Sequence, residues 1–187
     1  PGKAADGAKA LIDELHSALD PKAYRKAVAL LAESEFIDIF GVENSLTPAM
    51  DLFTKLGYLG LTCRLNTDAY LQQIGAGHLP HGAVAVAFSH SGSSADTVKA
   101  LRLAKSHGAK TIAITNAIGA PLASWADVTL LTGRDSHTIY GNAIFSRVAD
   151  TALVDMLYMG VILSDYGRFS TALDESGRMI RDRVFEN

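Results

Sequence analysis

Apolar residues recur along this chain in two rhythms, and the alternation between them sets the expected fold. Ala8 to Leu19 carries Leu11, Ile12, Leu15, Ala18 and Leu19 at helical spacing. Asp20-Pro21 then restarts the helix, with N-cap chemistry at Asp20 and the fixed φ of a first helical position at Pro21, and Tyr24, Ala27, Val28 and Leu31 keep one apolar face. Five short runs rich in branched residues read as buried strands: Phe36 to Phe40, Leu61 to Leu65, Val84 to Phe88, Thr111 to Thr115 and Val128 to Leu131. Helices are expected from Thr47-Pro48 to about Leu56, from Thr67 to about Gly77, and from about Ser94 to His107, where Gly108 stands as the C-terminal cap. A long apolar helix from about Asn142 to Leu163 and an amphipathic segment from about Phe169 to Val184 complete the pattern. Strands alternating with helices imply a parallel sheet with right-handed crossovers. The expected architecture is α/β: a three-layer, doubly wound, five-stranded parallel sheet flanked by helices, in one domain over residues 1–187, with helices over 3–33, the sheet core over 35–132 and helices again over 142–185.

Two polar loops interrupt this pattern in the same way. The first strand breaks at Gly41-Val42-Glu43-Asn44-Ser45, and the third breaks at Ser89-His90-Ser91-Gly92-Ser93-Ser94, each just before a helix. Hydroxyls and unpaired backbone N–H groups at a helix start favour an anion, and phosphate is the guest that fits best. In a sheet of order 2-1-3-4-5, ligands bind beyond the carboxyl ends of the strands where the order reverses, between strands one and three. That order brings Asn44 and Ser45 to face Ser89, Ser91 and Ser94 across one crevice. Hydrogen bonds to a charged group contribute about 1.5–3 kcal/mol each, so four or five of them reach micromolar affinity without a metal. The alternative, that these serines only cap helices and satisfy turns, remains open on sequence grounds.

Composition narrows the classes. With 48% hydrophobic and 20% charged residues, the 187-residue chain can bury a full core. The net charge of −3 gives no general drive toward nucleic acid or an anionic membrane. A single cysteine, Cys63, excludes an internal disulfide and reads as a small buried hydrophobe; with no membrane-length apolar run and no signal-peptide pattern, a cytoplasmic location is expected. His16, His78, His81, His90, His107 and His137 lack the spacing of a zinc site, and Gly41-Val42-Glu43 lacks the later glycines of a dinucleotide fingerprint, so neither metal nor cofactor is expected. Lys99, Arg102 and Lys105, and likewise Arg178, Arg181 and Arg183, read as solvated helix faces.

The stretches Phe40 to Ser45, Ala87 to Ser94, Ala104-Lys105 through Gly108-Ala109-Lys110 to Ile112 to Asn116, and Pro121-Leu122-Ala123 with Ala126-Asp127 resemble the sugar isomerase (SIS) domain, over nearly all of the chain. Thr67-Asp68-Ala69-Tyr70-Leu71-Gln72, Phe145-Ser146-Arg147-Val148 and Asp155-Met156-Leu157 resemble more particularly the RpiR-type bacterial transcriptional regulators. That resemblance implies a domain that senses a phosphorylated sugar, pairs as a homodimer or a dimer of dimers, and reaches DNA only through a preceding helix-turn-helix domain; a chain opening at Pro1 is expected to be a piece of such a protein. Carried over by position, the phosphate-gripping loop falls on Ser89, Ser91 and Ser94 with His90 and Gly92, and the first-strand loop on Asn44 and Ser45. Glu43 stands where the family often has glycine, and Ser94 where threonine is commoner.

Two other readings accompany this one. An aldose–ketose isomerase, such as a 6-phospho-3-hexuloisomerase, needs a base beside the substrate's C1 or C2 proton, for which Glu43, His90, Asp135 and His137 are the candidates. A protein-interaction module with a vestigial pocket is the other, and the density of hydroxyls in two converging loops argues against it. The sensor reading makes the chain a non-enzyme, with the long helix as the far wall of the pocket and as the dimer interface. Arg147 is either a ligand contact or an anchor for that helix.

Overall fold

The structure, a computed structural model, describes residues 2–134 and 147–181. Helices α1 (Gly2–Ala18) and α2 (Pro21–Glu33) lead into β1 (Ile37–Phe40), α3 (Leu46–Tyr58), β2 (Cys63–Leu65), α4 (Ala69–Ala76), β3 (Val84–Phe88), α5 (Ala95–Ser106), β4 (Lys110–Thr115) and β5 (Val128–Leu131). Two more helices follow, α6 (Val148–Ser164) and α7 (Tyr166–Met179). The strands pair in parallel, as the alternation of strands and helices implied, and in the expected order β2-β1-β3-β4-β5. Individual ends move by a few residues: the first helix starts at Gly2, one residue before the expected bound, and the second strand is shorter than the apolar run around it. The expected stretch from Asn142 to Ser146 lies outside the described residues, as do Asp135, His137, Arg183 and Val184.

The restart at Asp20-Pro21 takes the expected form, because the Asp20 carboxylate accepts the Lys22 N–H at 2.9 Å and Pro21 opens α2. Every residue of β1 and β3 is buried, which is the consequence of helices covering both faces of a parallel sheet. The two faces carry different side chains. Val84, Val86, Phe88, Ile112 and Ile114 join a thick layer with Leu15, Leu31, Leu52, Leu157 and Phe169 from α1, α2, α3, α6 and α7. Ala85, Ala87 and Ala113 face the other way, against Ala100, Leu101 and Ala104 of α5, so small residues on both surfaces let that helix lie close to the sheet. Helix α6 is too apolar to stand alone because α1, α2 and α3 all pack on it. At Gly160 an added Cβ would stand 2.4 Å from the Tyr24 Oη, and that hydroxyl donates to the Met156 carbonyl at 2.6 Å, tying α2 to α6.

Buried polar links fix the sheet edges. Asp38, in the interior of β1, receives both Nε (3.0 Å) and Nη2 (2.7 Å) of Arg64 on β2. Burial pushes the Asp38 carboxyl up, and the paired guanidinium counters it. Arg64 in turn lies over the Phe36 ring and against Gly75 of α4, where a Cβ would fall 2.7 Å from its Nη2. At the opposite side Asp127 accepts the Thr111 N–H (2.9 Å) and Oγ1 (3.1 Å) and pairs with Lys105. The basic residues of α5 are therefore not simply solvated: Lys105 has this partner, and Arg102 stacks over Trp125. Cys63 packs half-buried against the core, and burial pushes its thiol up to about 12.

The Asp127 carboxyl lies below its ordinary value of 3.8 because the Lys105 ammonium and the Thr111 donors hold the charged form against the opposing cost of burial. A depressed acid stabilises the fold above its ordinary pKa, and that contribution disappears as pH falls through the lowered value. Asp127→Asn is therefore expected to lose about 1 kcal/mol at pH 7, and the gap to the wild type should close in urea titrations at pH 2. An equal gap at both pH values would show that packing, not charge, is what the carboxylate supplies.

Candidate functional site

Strands β1 and β3 lie side by side at the centre of the sheet, with Ile37 opposite Val84 and Phe40 opposite Ala87. Their connections leave toward opposite layers, α3 joining the thick layer and α5 the thin one. A crevice opens between the two loops at the carboxyl ends. It is a cleft of about 250 Å³ lined by Val42, Glu43, Asn44 and Ser45 from the first loop, by Ser89, His90, Ser91 and Ser94 from the third, and by Asp96 and Arg147. Seven of the eight residues singled out from sequence line this one cleft. The eighth, Gly92, shapes the loop rather than the wall.

The third-strand loop is held by β4 and the turn after it. Ser89 N–H donates to the Ile114 carbonyl (3.0 Å), while the His90 carbonyl accepts both the Asn116 N–H (3.0 Å) and the Thr115 hydroxyl (3.1 Å). Gly92 takes φ +61°, and a Cβ there would lie 2.3 Å from that of Ala120 and 2.8 Å from Thr115 Oγ1. Only glycine fits both the backbone and the space. Gly92 also closes the turn, donating to the Ser89 carbonyl at 2.9 Å and accepting from the Leu122 N–H at 2.9 Å.

The first-strand loop is clamped by a residue that the sequence reading did not assign to the site. Gln72, buried on α4, donates through Nε2 to the Gly41 carbonyl (2.7 Å) and the Asn66 carbonyl (2.8 Å), and its Oε1 accepts the Gly41 N–H (3.3 Å). Gly41 itself comes close under the next turn, where a Cβ would stand 3.0 Å from the Ser45 carbonyl oxygen. The family resemblance covers Gln72, but nothing in the local pattern assigns it this role, since it is one of two adjacent glutamines on a short helix 31 positions away from its partner.

The hydroxyls are not consumed by helix caps. Ser45 precedes α3 and Ser94 precedes α5, yet neither side chain accepts a backbone N–H of its helix as a cap. Ser94 Oγ accepts from Thr97 Oγ1 at 3.3 Å, and Ser91 Oγ accepts the Ser93 N–H at 3.2 Å. An oxygen accepting one bond still has its own proton to give.

A largely buried charged group lines the same cleft. Arg147, just before α6, keeps 11% of its side chain exposed, and its Nε and Nη1 have no hydrogen-bond partner among the described residues. The Asp150 carboxylate lies 3.9 Å from that Nε, close enough to interact as a charge and too far to bond. Burial pushes the Asp150 carboxyl up, and the facing Thr132 hydroxyl, the His90 imidazole and the guanidinium counter it. The i, i+3 spacing of Arg147 and Asp150 at a helix start is the only trace of this pair in the sequence. Glu43 and Asp96 add two carboxylates at the cleft, the latter accepting Gln73 Nε2 at 3.0 Å. Among the described residues no group of histidines, cysteines and carboxylates is arranged to hold a metal ion, and no helix is long and apolar enough to cross a membrane.

A doubly wound sheet with serine-bearing loops meeting at its switch point defines a recognisable class. The SIS domain family model matches residues 30–160, and the chain belongs to that family. Over 185 residues it is 30% identical to an uncharacterized HTH-type transcriptional regulator of Caldanaerobacter subterraneus, covering 99% of this chain and 66% of that protein. Among solved structures it superposes with a TM-score of 0.90 on the Vibrio vulnificus NanR protein complexed with ManNAc-6P, at 24% identity over 97% of this chain and 69% of the other. The sugar isomerase domain of an RpiR transcription factor from Sphaerobacter thermophilus matches with a TM-score of 0.85 at 22% identity, over 95% and 98% of the two chains. The chain spans about half to two thirds of the length of the curated relatives it matches.

Replacing Gln72 by Leu strands the Gly41 N–H and carbonyl, at a cost of about 1–3 kcal/mol for an unsatisfied buried group. The expected outcome is a lower melting temperature together with accelerated amide exchange at residues 41–45. Exchange that is unaltered there would mean that the loop holds its shape without the clamp.

Proposed function

We propose that this chain is the sugar-phosphate-sensing effector domain of an RpiR-type transcriptional regulator. The observation that carries the reading is a largely buried guanidinium, with two nitrogens unbonded among the described residues, lining a cleft together with hydroxyls from two separate loops. Unmade hydrogen bonds on a buried charge are costly, and an oxyanion is the partner that completes them. Asn44, Ser45, Ser89, Ser91 and Ser94 then supply neutral donors around the phosphate, with His90 beside them and Gly92 setting the loop. The remaining cleft volume suits a sugar body. The phosphorylated sugar held by the related NanR protein supports the same ligand class.

In this reading the DNA contact belongs to a helix-turn-helix segment beyond these residues, as the naming of the relatives supports. The domain pairs as a homodimer or dimer of dimers and works in the cytoplasm. The wall formed by the start of α6 ties ligand contact at Arg147 to the helix that packs on α1, α2 and α3. An effector changes the arrangement of a pair only by preferring one of its states, and α6 is the element through which that preference acts.

At a hundredfold excess over its dissociation constant, a bound sugar phosphate stabilises the domain by about 2.7 kcal/mol, which raises the melting temperature by about 5–10 °C for a chain of this size. The corresponding free sugar should leave it unchanged. Ser91→Phe should abolish the shift while preserving the far-ultraviolet spectrum, and Arg147→Gln should weaken affinity about 10- to 100-fold. Undiminished binding in both variants would remove the cleft as the site. Incubation with hexulose and pentose phosphates, followed by NMR, separates sensor from isomerase: turnover that is lost in Glu43→Gln or His90→Ala would replace the sensor by an enzyme.

A further inference from the structure

The cleft that we read as a phosphosugar site carries an acid without a side-chain partner among the described residues. Glu43 has φ +51°, the one non-glycine among the described residues in the left-handed region. A side chain there costs strain that glycine avoids. In exchange the Glu43 carboxylate makes no ion pair and no hydrogen bond among the described residues, and it stands exposed at the wall of the cleft. Strain retained at a binding wall, without a structural partner to explain it, is the pattern of a residue kept for what it does to a ligand.

A second carboxylate stands in the same cleft. Asp96, in the first turn of α5, is steadied by the Gln73 amide at 3.0 Å. Glu43 belongs to the first-strand loop and Asp96 to the helix turn that follows the third-strand loop, and both line the cleft with the serines, so a ligand whose phosphate sits among those hydroxyls has its body beside both. The cleft measures only about 250 Å³, so a sugar body held inside it lies in the field of both carboxylates, which salt screens over ~8 Å. A carboxylate accepts hydrogen bonds from hydroxyl or ammonium groups and repels another anion.

We infer that Glu43, supported by Asp96, is a specificity-determining residue of this site, admitting phosphosugars with a neutral or cationic body and rejecting those that carry a second anionic group such as a carboxylate. The inference rests on the phosphosugar reading of the cleft. Among the described residues Arg147 is the one lysine or arginine lining the cleft; with it committed to the phosphate, a second anion would meet the Glu43 and Asp96 carboxylates without a guanidinium or ammonium to offset them. A purely structural role, as an acid near the start of α3, predicts no such discrimination.

The test is isothermal titration of the 187-residue chain at pH 7 with inorganic phosphate, glucosamine 6-phosphate and a matched open-chain pair, glucitol 6-phosphate and 6-phosphogluconate, which differ at C1 by CH₂OH against carboxylate. The wild type should bind glucitol 6-phosphate about tenfold or more tightly than 6-phosphogluconate, with glucosamine 6-phosphate at least as tight as the neutral compound. In Glu43→Gln the ratio for the matched pair should shrink to within about threefold, and Asp96→Asn should narrow it further when combined. A ratio of affinities is read, so a general loss of folding, which weakens both ligands together, cannot imitate the result. Equal or tighter binding of 6-phosphogluconate by the wild type overturns the inference, as does an unchanged ratio in Glu43→Gln, or phosphate binding with none of the three phosphosugars accepted. Failure of all four, inorganic phosphate included, instead removes the phosphosugar reading on which it stands.

Discussion

Parallel pairing of β1 with β3 is the constraint from which the rest of the molecule follows. Two neighbouring strands run in the same direction, while the chain leaving each turns to opposite sides of the sheet. No connection can bridge the gap between those departing loops, so a crevice forms there by geometry alone. Main-chain N–H groups, helix starts and short polar side chains collect at that place. The protein's remaining task is to give the crevice a defined shape.

It does so by hydrogen bonds that reach across the sheet rather than along the chain. Gln72 holds Gly41 from α4, while Thr115 and Asn116 hold His90 from the end of β4. These supports are neutral and buried, and they fix the positions of groups on loops that would otherwise be mobile. Arg147 lines the cleft beside the hydroxyls, with Asp150 close enough to steady it and too distant to hydrogen-bond it. That incomplete pairing distinguishes the cleft from the salt links elsewhere, such as Asp38 with Arg64, where both carboxylate oxygens are bonded.

The asymmetry of the two layers has a related origin. Large branched residues on one strand face require a deep helical layer, built from α1, α2, α3, α6 and α7, whereas alanines on the other let α5 approach closely. Helix α6 fills the deep layer and also begins at the cleft with Arg147. One element thus spans from the candidate ligand to the interior, and its exposed edge, Met156, Met159 and Leu163, continues to the surface.

Much of this was legible in the sequence, and the reason is locality. Alternation of branched runs with helical spacing, the Asp20-Pro21 restart and the capping glycine Gly108, with φ +87°, are decided within a few residues, so the elements and their parallel arrangement could be read directly. The two serine loops were legible for the same reason, because their polarity interrupts strong apolar runs. What the sequence could not disclose are relations between residues far apart. That Gln72 grips Gly41 across 31 positions, that Lys105 pairs with Asp127, and that neither Ser45 nor Ser94 caps its helix through the hydroxyl depend on distances created only when the layers close. Gly92 marks the boundary between the two: its polar setting placed it at the loop, but the contact with Ala120 and Thr115 that makes it indispensable exists only in three dimensions. Local spacing determined which elements form and what chemistry their ends carry; packing alone decided which of those groups meet, and which, like Arg147, have hydrogen bonds left unmade among the described residues.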